Sequence, residues 1–304
     1  YWKKVNYENL PLDEDAFIGP YPYYIPTNND VLGLAYHASS GLVTLAMGRL
    51  RSGIPSSLNA FCTSDHPKGS SPTVWGFPNY AVNTLKALFY DQNQEYYRKV
   101  KDNVAHNFTS IYDEYFPGND KDDYRGFEEQ LNDFSIISVY HVNVDNRCSR
   151  FYVVDTGTLY YGPNDIHFVQ NPALIVFDIQ ENSCKTRKFP VSRRAIIPRH
   201  LWRNPVGFVY IAADYQSKDC DDVFLYITNC FDNSIIVYDY KHGKFWSFTD
   251  PSMNPIAAES RMIFKKDFFY ELPIGLMSIA LGWPDKNGDR IAYYTPGGST
   301  AEYG

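Results

Sequence analysis

Two pairs of short apolar runs constrain this chain most. Phe151-Tyr-Val-Val-Asp155 is followed by Leu174-Ile-Val-Phe-Asp178, and Val223-Phe-Leu-Tyr-Ile227 is followed by Ile235-Ile-Val-Tyr-Asp239. The runs are dominated by β-branched and aromatic residues, which suit pleated strands. Near-continuous apolar runs this short read as strands buried on both faces. The two pairs start about 70 residues apart, and a third first-strand, Arg290 to Thr295, starts about 70 residues later. That period exceeds the roughly 40–50 residues of common propeller repeats. A blade of four strands with generous loops fits it. The alternative is a β-sandwich with coincidental internal likeness. Either reading makes the chain all-β.

Further runs of the same kind lie at Gly41 to Met47, Ile136 to Val144, Phe208 to Ala212 and Met277 to Leu281, separated by Gly, Pro, Asn and Asp turns. One segment breaks the pattern. From Thr84 to Phe116, apolar residues such as Leu85, Leu88, Val100, Val104, Phe108 and Ile111 recur at spacings of three and four, with one gap. This predicts an amphipathic helix over 84–116, ended by Pro117-Gly118. Asn107-Phe108-Thr109 is an N-glycosylation sequon inside it, so a glycan there requires Asn107 to face water.

Composition excludes several function classes. The net charge of −7 is the wrong sign for a nucleic-acid partner, and no polybasic segment addresses acidic lipid. No apolar run reaches the roughly 20 residues that span a bilayer. The five cysteines, Cys62, Cys148, Cys184, Cys220 and Cys230, form no CxxC pair and no zinc spacing. Dispersed cysteines, the sequon and a start at Tyr1 rather than Met lead to the expectation of a processed, secreted, extracellular protein. An odd count leaves one thiol free or paired outside the chain.

No catalytic constellation stands out. Asp155-Thr156-Gly157 matches the local signature of an aspartic protease, but that mechanism needs two carboxylates and no second copy exists. A strand ending in a polar turn is the simpler reading. The seven histidines show no i, i+4 metal pair, and no Gly-x-Ser-x-Gly elbow or phosphate loop occurs. Asp285-Lys-Asn287-Gly-Asp289 starts like a calcium loop but lacks its distal Glu, so it reads as a β-turn. No metal and no catalytic cofactor are expected. Trp75, Phe77, Tyr80, Trp202, Trp246 and Trp283 could line an aromatic ligand site or simply fill a core.

Several segments carry a family likeness. Met47-Gly-Arg-Leu-Arg-Ser-Gly-Ile-Pro-Ser-Ser-Leu58 and Trp75-Gly-Phe-Pro-Asn-Tyr80 resemble early elements of the yellow/major royal jelly protein family. Ser138-Val-Tyr-His-Val-Asn-Val-Asp145 and Cys148-Ser-Arg-Phe-Tyr-Val-Val-Asp-Thr-Gly157 are similar to its core. Pro172 to Asp178, Ile235 to Tyr240, Met277 to Leu281 and Tyr293 to Tyr303 resemble further family segments in the same order. The resemblance implies a six-bladed β-propeller forming one domain over 1–304, with the 84–116 helix as an insertion. Family chains continue beyond the last of these segments, so the closing C-terminal blades are expected to be missing. It also implies a Cys62–Cys148 disulfide and a partner for Cys220 beyond residue 304, while Cys184 and Cys230 have no family counterpart.

For function, the resemblance implies amine binding, lipid-associated nutrition, carotenoid binding or dopachrome conversion. With no acid–base or metal constellation, the expectation is a non-enzymatic carrier of an apolar or aromatic conjugated ligand, with a carotenoid as the leading guess. Dopachrome conversion and biogenic-amine binding are the alternatives, and the carrier is expected to be a homo- or hetero-oligomer. An amine would need a carboxylate within an aromatic cage. The expected ligand-binding residues are Trp75, Phe77, Tyr80, Asp155, Thr156, Thr228, Asn229, Trp283 and Thr295, placed around a propeller mouth.

Overall fold

A computed structural model of the chain describes residues 5–18, 21–66, 71–83, 135–162, 165–265, 268–286 and 288–304. The predicted 84–116 helix and the Asn107 sequon lie outside the described residues.

The described chain is all-β with very little helix. It opens with β1 (Asn6–Tyr7) and a hairpin of β2 (Phe17–Ile18) and β3 (Tyr21–Pro22). A first sheet follows: β4 (Gly33–His37), β5 (Leu42–Ala46), β6 (Leu58–Cys62) and β7 (Thr73–Gly76), with β1 added parallel to β7. A short helix, α1 (Tyr80–Asn83), comes next. The second sheet contains β8 (Val139–Asp145) and β9 (Arg150–Asp155). A side hairpin, β10 (Thr158–Gly162) and β11 (Asp165–Phe168), precedes β12 (Ala173–Asp178), α2 (Ser183–Thr186) and β13 (Val191–Ile196). The third sheet is β14 (Phe208–Tyr215), β15 (Val223–Asn229), β16 (Ser234–Asp239) and β17 (Lys244–Phe248). A hairpin of β18 (Arg261–Lys265) and β19 (Phe268–Glu271) leads to a two-stranded sheet, β20 (Leu276–Leu281) and β21 (Ala292–Pro296).

Pairing within each sheet is antiparallel between sequence neighbours, except where β1 joins β7. The first strands pack side by side: β4 on β8, β8 on β14, β14 on β20. The near-continuous apolar runs have the expected cause. Side chains alternate across a strand, and both faces of the second sheet are covered. Phe151, Val153, Ile175 and Phe177 face the first sheet, whereas Tyr152, Val154, Leu174 and Val176 face the third. The third sheet repeats this. Leu225, Ile227, Ile236 and Tyr238 face the second sheet, while Ile235 and Val237 face the fourth. Each such fully buried side chain is worth roughly 1.5–3 kcal/mol, so the layers are held mainly by these inter-sheet clusters.

The cysteine pairing differs from expectation. Cys62 bonds Cys184 and Cys148 bonds Cys220, with Cα separations of 5.8 and 5.7 Å. The expected Cys62–Cys148 bond does not form. Cys148 lies in the β8–β9 turn, where the next sheet presents Cys220 from the β14–β15 loop; Cys62, at the end of β6, meets Cys184 in α2. Cys220 therefore has its partner within the chain. Each bond ties one sheet to the next. Cys230 is a buried free thiol, and burial pushes it up to about 12.

Candidate functional site

The second strands end in a shared arrangement. Thr156 N–H donates to the Ser138 carbonyl at 2.9 Å, Cys230 N–H to that of Gly207 at 2.9 Å, and Gly297 N–H to that of Gly275 at 2.8 Å. Each bond closes a second strand onto the start of the first strand of its own sheet. Bonds also cross between sheets. Arg49 N–H donates to Ser138 Oγ at 2.8 Å, Gly275 N–H to the Cys230 carbonyl at 2.8 Å, and Thr228 Oγ1 to the Met277 carbonyl at 3.2 Å. Asp155 and Asn229 are thus equivalent, as are Thr228 and Thr295, and with Thr156 all five lie at one end of the stacked sheets.

Asp155 is fully buried, and its carboxylate is spent on structure. It accepts from the backbone N–H of Ser138 at 2.8 Å, of Gly157 at 3.0 Å and of Ile137 at 3.1 Å, and from Gln170 Nε2 at 2.6 Å. Burial pushes its carboxyl above the usual carboxylate range, against the pull of these donors. Gly157 follows with φ +66°, and a Cβ there would lie 1.9 Å from the Gln170 carbonyl oxygen, so only glycine fits. The Asp-Thr-Gly triplet is a structural turn, as its lack of a second copy suggests. Asn229 does the same work in the third sheet. Its Oδ1 accepts from the N–H of Phe231 and Asp232, and its Nδ2 donates to the Asn204 carbonyl at 3.0 Å.

Arg49 was not singled out by its residue type, although it lies in a family-like segment. Its side chain is fully buried and donates to the carbonyls of Ile54, Pro55 and Asn83 at 2.8–3.0 Å and to those of Ile136 and Ile137. Burial lowers its pKa. A cation caged by carbonyls locks the start of the second sheet to the end of β5.

Beyond these strand ends, the β10–β11 hairpin brings an aspartate and a histidine together with a tyrosine from the N-terminal hairpin. Asp165 and His167 are two apart on β11, hence on one face. His167 Nε2 lies 2.6 Å from Asp165 Oδ1. From the N-terminal hairpin, the Tyr21 hydroxyl donates to both Asp165 oxygens at 3.1 and 3.2 Å and stands 3.4 Å from His167 Nε2. The Tyr161 ring packs 4.9 Å from that of Tyr21 and 5.9 Å from His167. His167 is buried, but the Asp165 side chain is 41% exposed, so this grouping opens to solvent on the Asp165 side. The i, i+2 Asp-Ile-His spacing was visible in the sequence; Tyr21, which lies 144 residues from Asp165, was not.

The aromatic candidates divide. Phe77 is fully buried, packed edge-on to Phe151 and Phe177 and 4.4 Å from the ring centre of Phe189. Trp75 is buried beneath the Arg187 guanidinium, and Tyr80 donates its hydroxyl to the Glu8 carbonyl at 2.7 Å. All three build the outer part of the first sheet. Trp283 is 94% exposed in the β20–β21 connection, at the opposite end of that hairpin from Thr295. A groove of about 410 Å³ opens between the third and fourth sheets, walled by Phe224, Trp246, Phe248 and Tyr294, with an Asp214–Arg290 ion pair at 3.0 Å. Among the described residues, no three His, Cys, Asp or Glu side chains cluster to hold a metal, and no helix is long and apolar enough to cross a membrane.

Stacked antiparallel sheets, first strands packed together and second strands closed by one repeated hydrogen bond define an all-β scaffold with its polar groups gathered at strand ends. The major royal jelly protein family model matches residues 137–304, and the chain belongs to that family. Among curated relatives, the yellow-related salivary protein SP03 of Phlebotomus perniciosus is 27% identical over 302 residues, covering 98% of this chain and 59% of its own length. The yellow-related salivary protein SP04 of Phlebotomus argentipes is 33% identical over 171 residues, covering 55% of this chain and 41% of its own. Yellow-related salivary protein LJM17 of Lutzomyia longipalpis is 34% identical over 172 residues, 55% of this chain and 40% of its own. The chain therefore spans well under two thirds of the length of the relatives it matches.

Proposed function

We propose that this protein is a secreted carrier that binds a small aromatic amine at Asp165. The observation that carries the reading is the partly exposed Asp165 side chain, its carboxylate in contact with the Tyr21 hydroxyl and His167 Nε2, with the Tyr161 ring packed on both of those rings. An ionised carboxylate has about four acceptor sites, so one already bonded to Tyr21 and His167 can still take an ammonium donor. A charge-assisted bond contributes about 1.5–3 kcal/mol, and an exposed cation–π contact about 0.5–1 kcal/mol more. A polar centre of this kind suits an amine better than a carotenoid. Two inter-sheet disulfides and the salivary naming of the relatives support secretion. The adjacent first strands and repeated strand-end bonds support reading the sheets as consecutive blades of a six-bladed propeller, with the amine site beside its mouth.

Titration calorimetry with dopamine and tryptamine tests this. Micromolar or tighter binding is expected, weakened at least tenfold by Asp165→Asn. Binding that is unaffected by Asp165→Asn places the site elsewhere. A visible absorption band in native material favours the carotenoid carrier. Dopachrome turnover well above the spontaneous rate favours the enzyme.

A further inference from the structure

One carboxylate serves both polar neighbours in the β10–β11 grouping. Asp165 Oδ1 takes His167 Nε2 at 2.6 Å, and the Tyr21 hydroxyl reaches Oδ1 at 3.2 Å and Oδ2 at 3.1 Å. An ionised carboxylate only accepts, so the hydrogen of the short contact sits on Nε2. A neutral imidazole then keeps its bare nitrogen at Nδ1. The pairing of β11 with β10, Leu159 opposite His167 and Gly162 opposite Asp165, holds both side chains on one face.

The titratable side chains that face the imidazole are few. They are Asp165 on its own strand, Tyr21 on the N-terminal hairpin, with ring centres 6.1 Å apart, and Tyr161 on β10, at 5.9 Å. Among the described residues, no third His, Cys, Asp or Glu side chain clusters with the pair. Between about pH 5 and 8, carboxylates are ordinarily ionised, phenols neutral and primary amines charged. Imidazole is the group that titrates there. The pair therefore has two charge states in this range. With a neutral imidazole it carries one net negative charge, which an ammonium can neutralise. With an imidazolium it carries none, and an incoming ammonium meets a like charge beside the oxygen it seeks.

We propose that His167 is a proton-operated competitor for the amine, so that the carrier takes up amine at neutral pH and releases it on acidification; this rests on the reading that the amine binds Asp165. His167 acts through the carboxylate and is a positioning residue: neutral, it donates to Asp165 and leaves the negative charge available; protonated, it takes that charge for itself. Uptake is thereby linked to proton release. Where imidazolium is populated, an arriving amine expels a proton from His167. By reciprocity, bound amine makes His167 harder to protonate.

Titration calorimetry with tryptamine between about pH 5 and 8 tests this on the unaltered protein, His167→Gln and Asp165→Asn. Gln keeps an N–H donor and has no charge to gain. Affinity is expected to rise at least tenfold from the acid to the alkaline end in the unaltered protein. In His167→Gln it should change less than threefold, and at the alkaline end stay within threefold of the original. Titrations near the middle of the range, in buffers of different ionisation enthalpy, should show protons released on binding, a readout that needs no variant. Asp165→Asn keeps the two readings apart. Binding that Asp165→Asn leaves unchanged places the amine elsewhere, and the competitor falls with the site. Binding that Asp165→Asn weakens, but that is flat with pH or releases no proton, keeps the site and overturns the competitor alone. A pH dependence that survives intact in His167→Gln belongs to another group and overturns it as well.

Discussion

The Arg187 guanidinium lies 4.3 Å from the ring centre of Trp75, and its N–H edge is tied to Glu8 at 2.9 Å. Arg187 follows α2 in the second sheet, Trp75 sits on β7 of the first, and Glu8 follows β1. The next junction repeats the device: Arg150 lies 4.7 Å from the ring centre of Tyr240 and pairs with Asp221 at 2.6 Å. A disulfide accompanies each clamp, Cys62–Cys184 at the first junction and Cys148–Cys220 at the second. The Arg187–Glu8 pair is partly exposed, so its ionic part is screened and small. The cation–π contact dominates. Arg187→Ala should lower stability by about 1 kcal/mol, read as a shift in urea midpoint. Arg187→Lys should recover only part, because an ammonium does not stack on the indole face. A midpoint unchanged in both variants would remove the clamp from the account.

The disulfides enclose long loops, of 122 and 72 residues' separation. Chain-entropy reasoning gives each about 4–5 kcal/mol. Proteolysis without reduction should yield peptides linking Cys62 to Cys184 and Cys148 to Cys220. Cys230 should resist alkylation until the protein unfolds, since burial both hides the thiol and disfavours its thiolate. A Cys62–Cys148 peptide, or rapid labelling of Cys230 in folded protein, would contradict this arrangement.

These two features show what the sequence could and could not reveal. Strand positions were legible because Phe151 to Asp155 and Ile235 to Asp239 need both faces covered, a property of the residues themselves. Asp155-Thr156-Gly157 was legible as a turn because its chemistry lacked a partner. Disulfide pairing was not legible: it depends on which loops of neighbouring sheets face one another, and Cys148 and Cys184 belong to the same sheet's connections but point to opposite neighbours. The Asp165 grouping was half legible. The Asp165 and His167 spacing is local, but Tyr21 arrives from a segment whose course only the fold sets.

His141 supplies a pH test. Its ring stacks on Tyr210 at 3.7 Å, its Nδ1 is buried without a partner, and burial lowers its pKa to about 4. The unfolded value is about 6.5, so between the two the unfolded chain binds more protons and stability rises with pH. The contribution is fully present above about pH 6.5 and is lost as pH falls towards 4, up to about 3 kcal/mol. His141→Phe keeps the stack and removes the titration. Its stability should fall less steeply between pH 6.5 and 4 than that of the unaltered protein. Parallel pH curves for the two would show that His141 is not the group responsible.

Phe77 and Asp165 together separate core from site. Phe77 was expected to touch ligand, yet it is sealed among Phe151, Phe177 and Phe189, with Ile136 and Ile175 in the same cluster. Phe77→Leu removes aromatic contacts without opening a large cavity, and Phe77→Ala opens one, at a cost of about 3–5 kcal/mol. Phe77→Leu should therefore lower the melting temperature yet leave amine affinity, measured well below that temperature, within twofold. Asp165→Asn should do the reverse, because Asp165 lies at the surface of the β10–β11 hairpin and its loss exposes no core. The decisive measurement is affinity and melting temperature on both variants side by side. If Phe77→Leu weakens the amine as strongly as Asp165→Asn does, ligand and core are one site, and Asp165 is not where the amine rests.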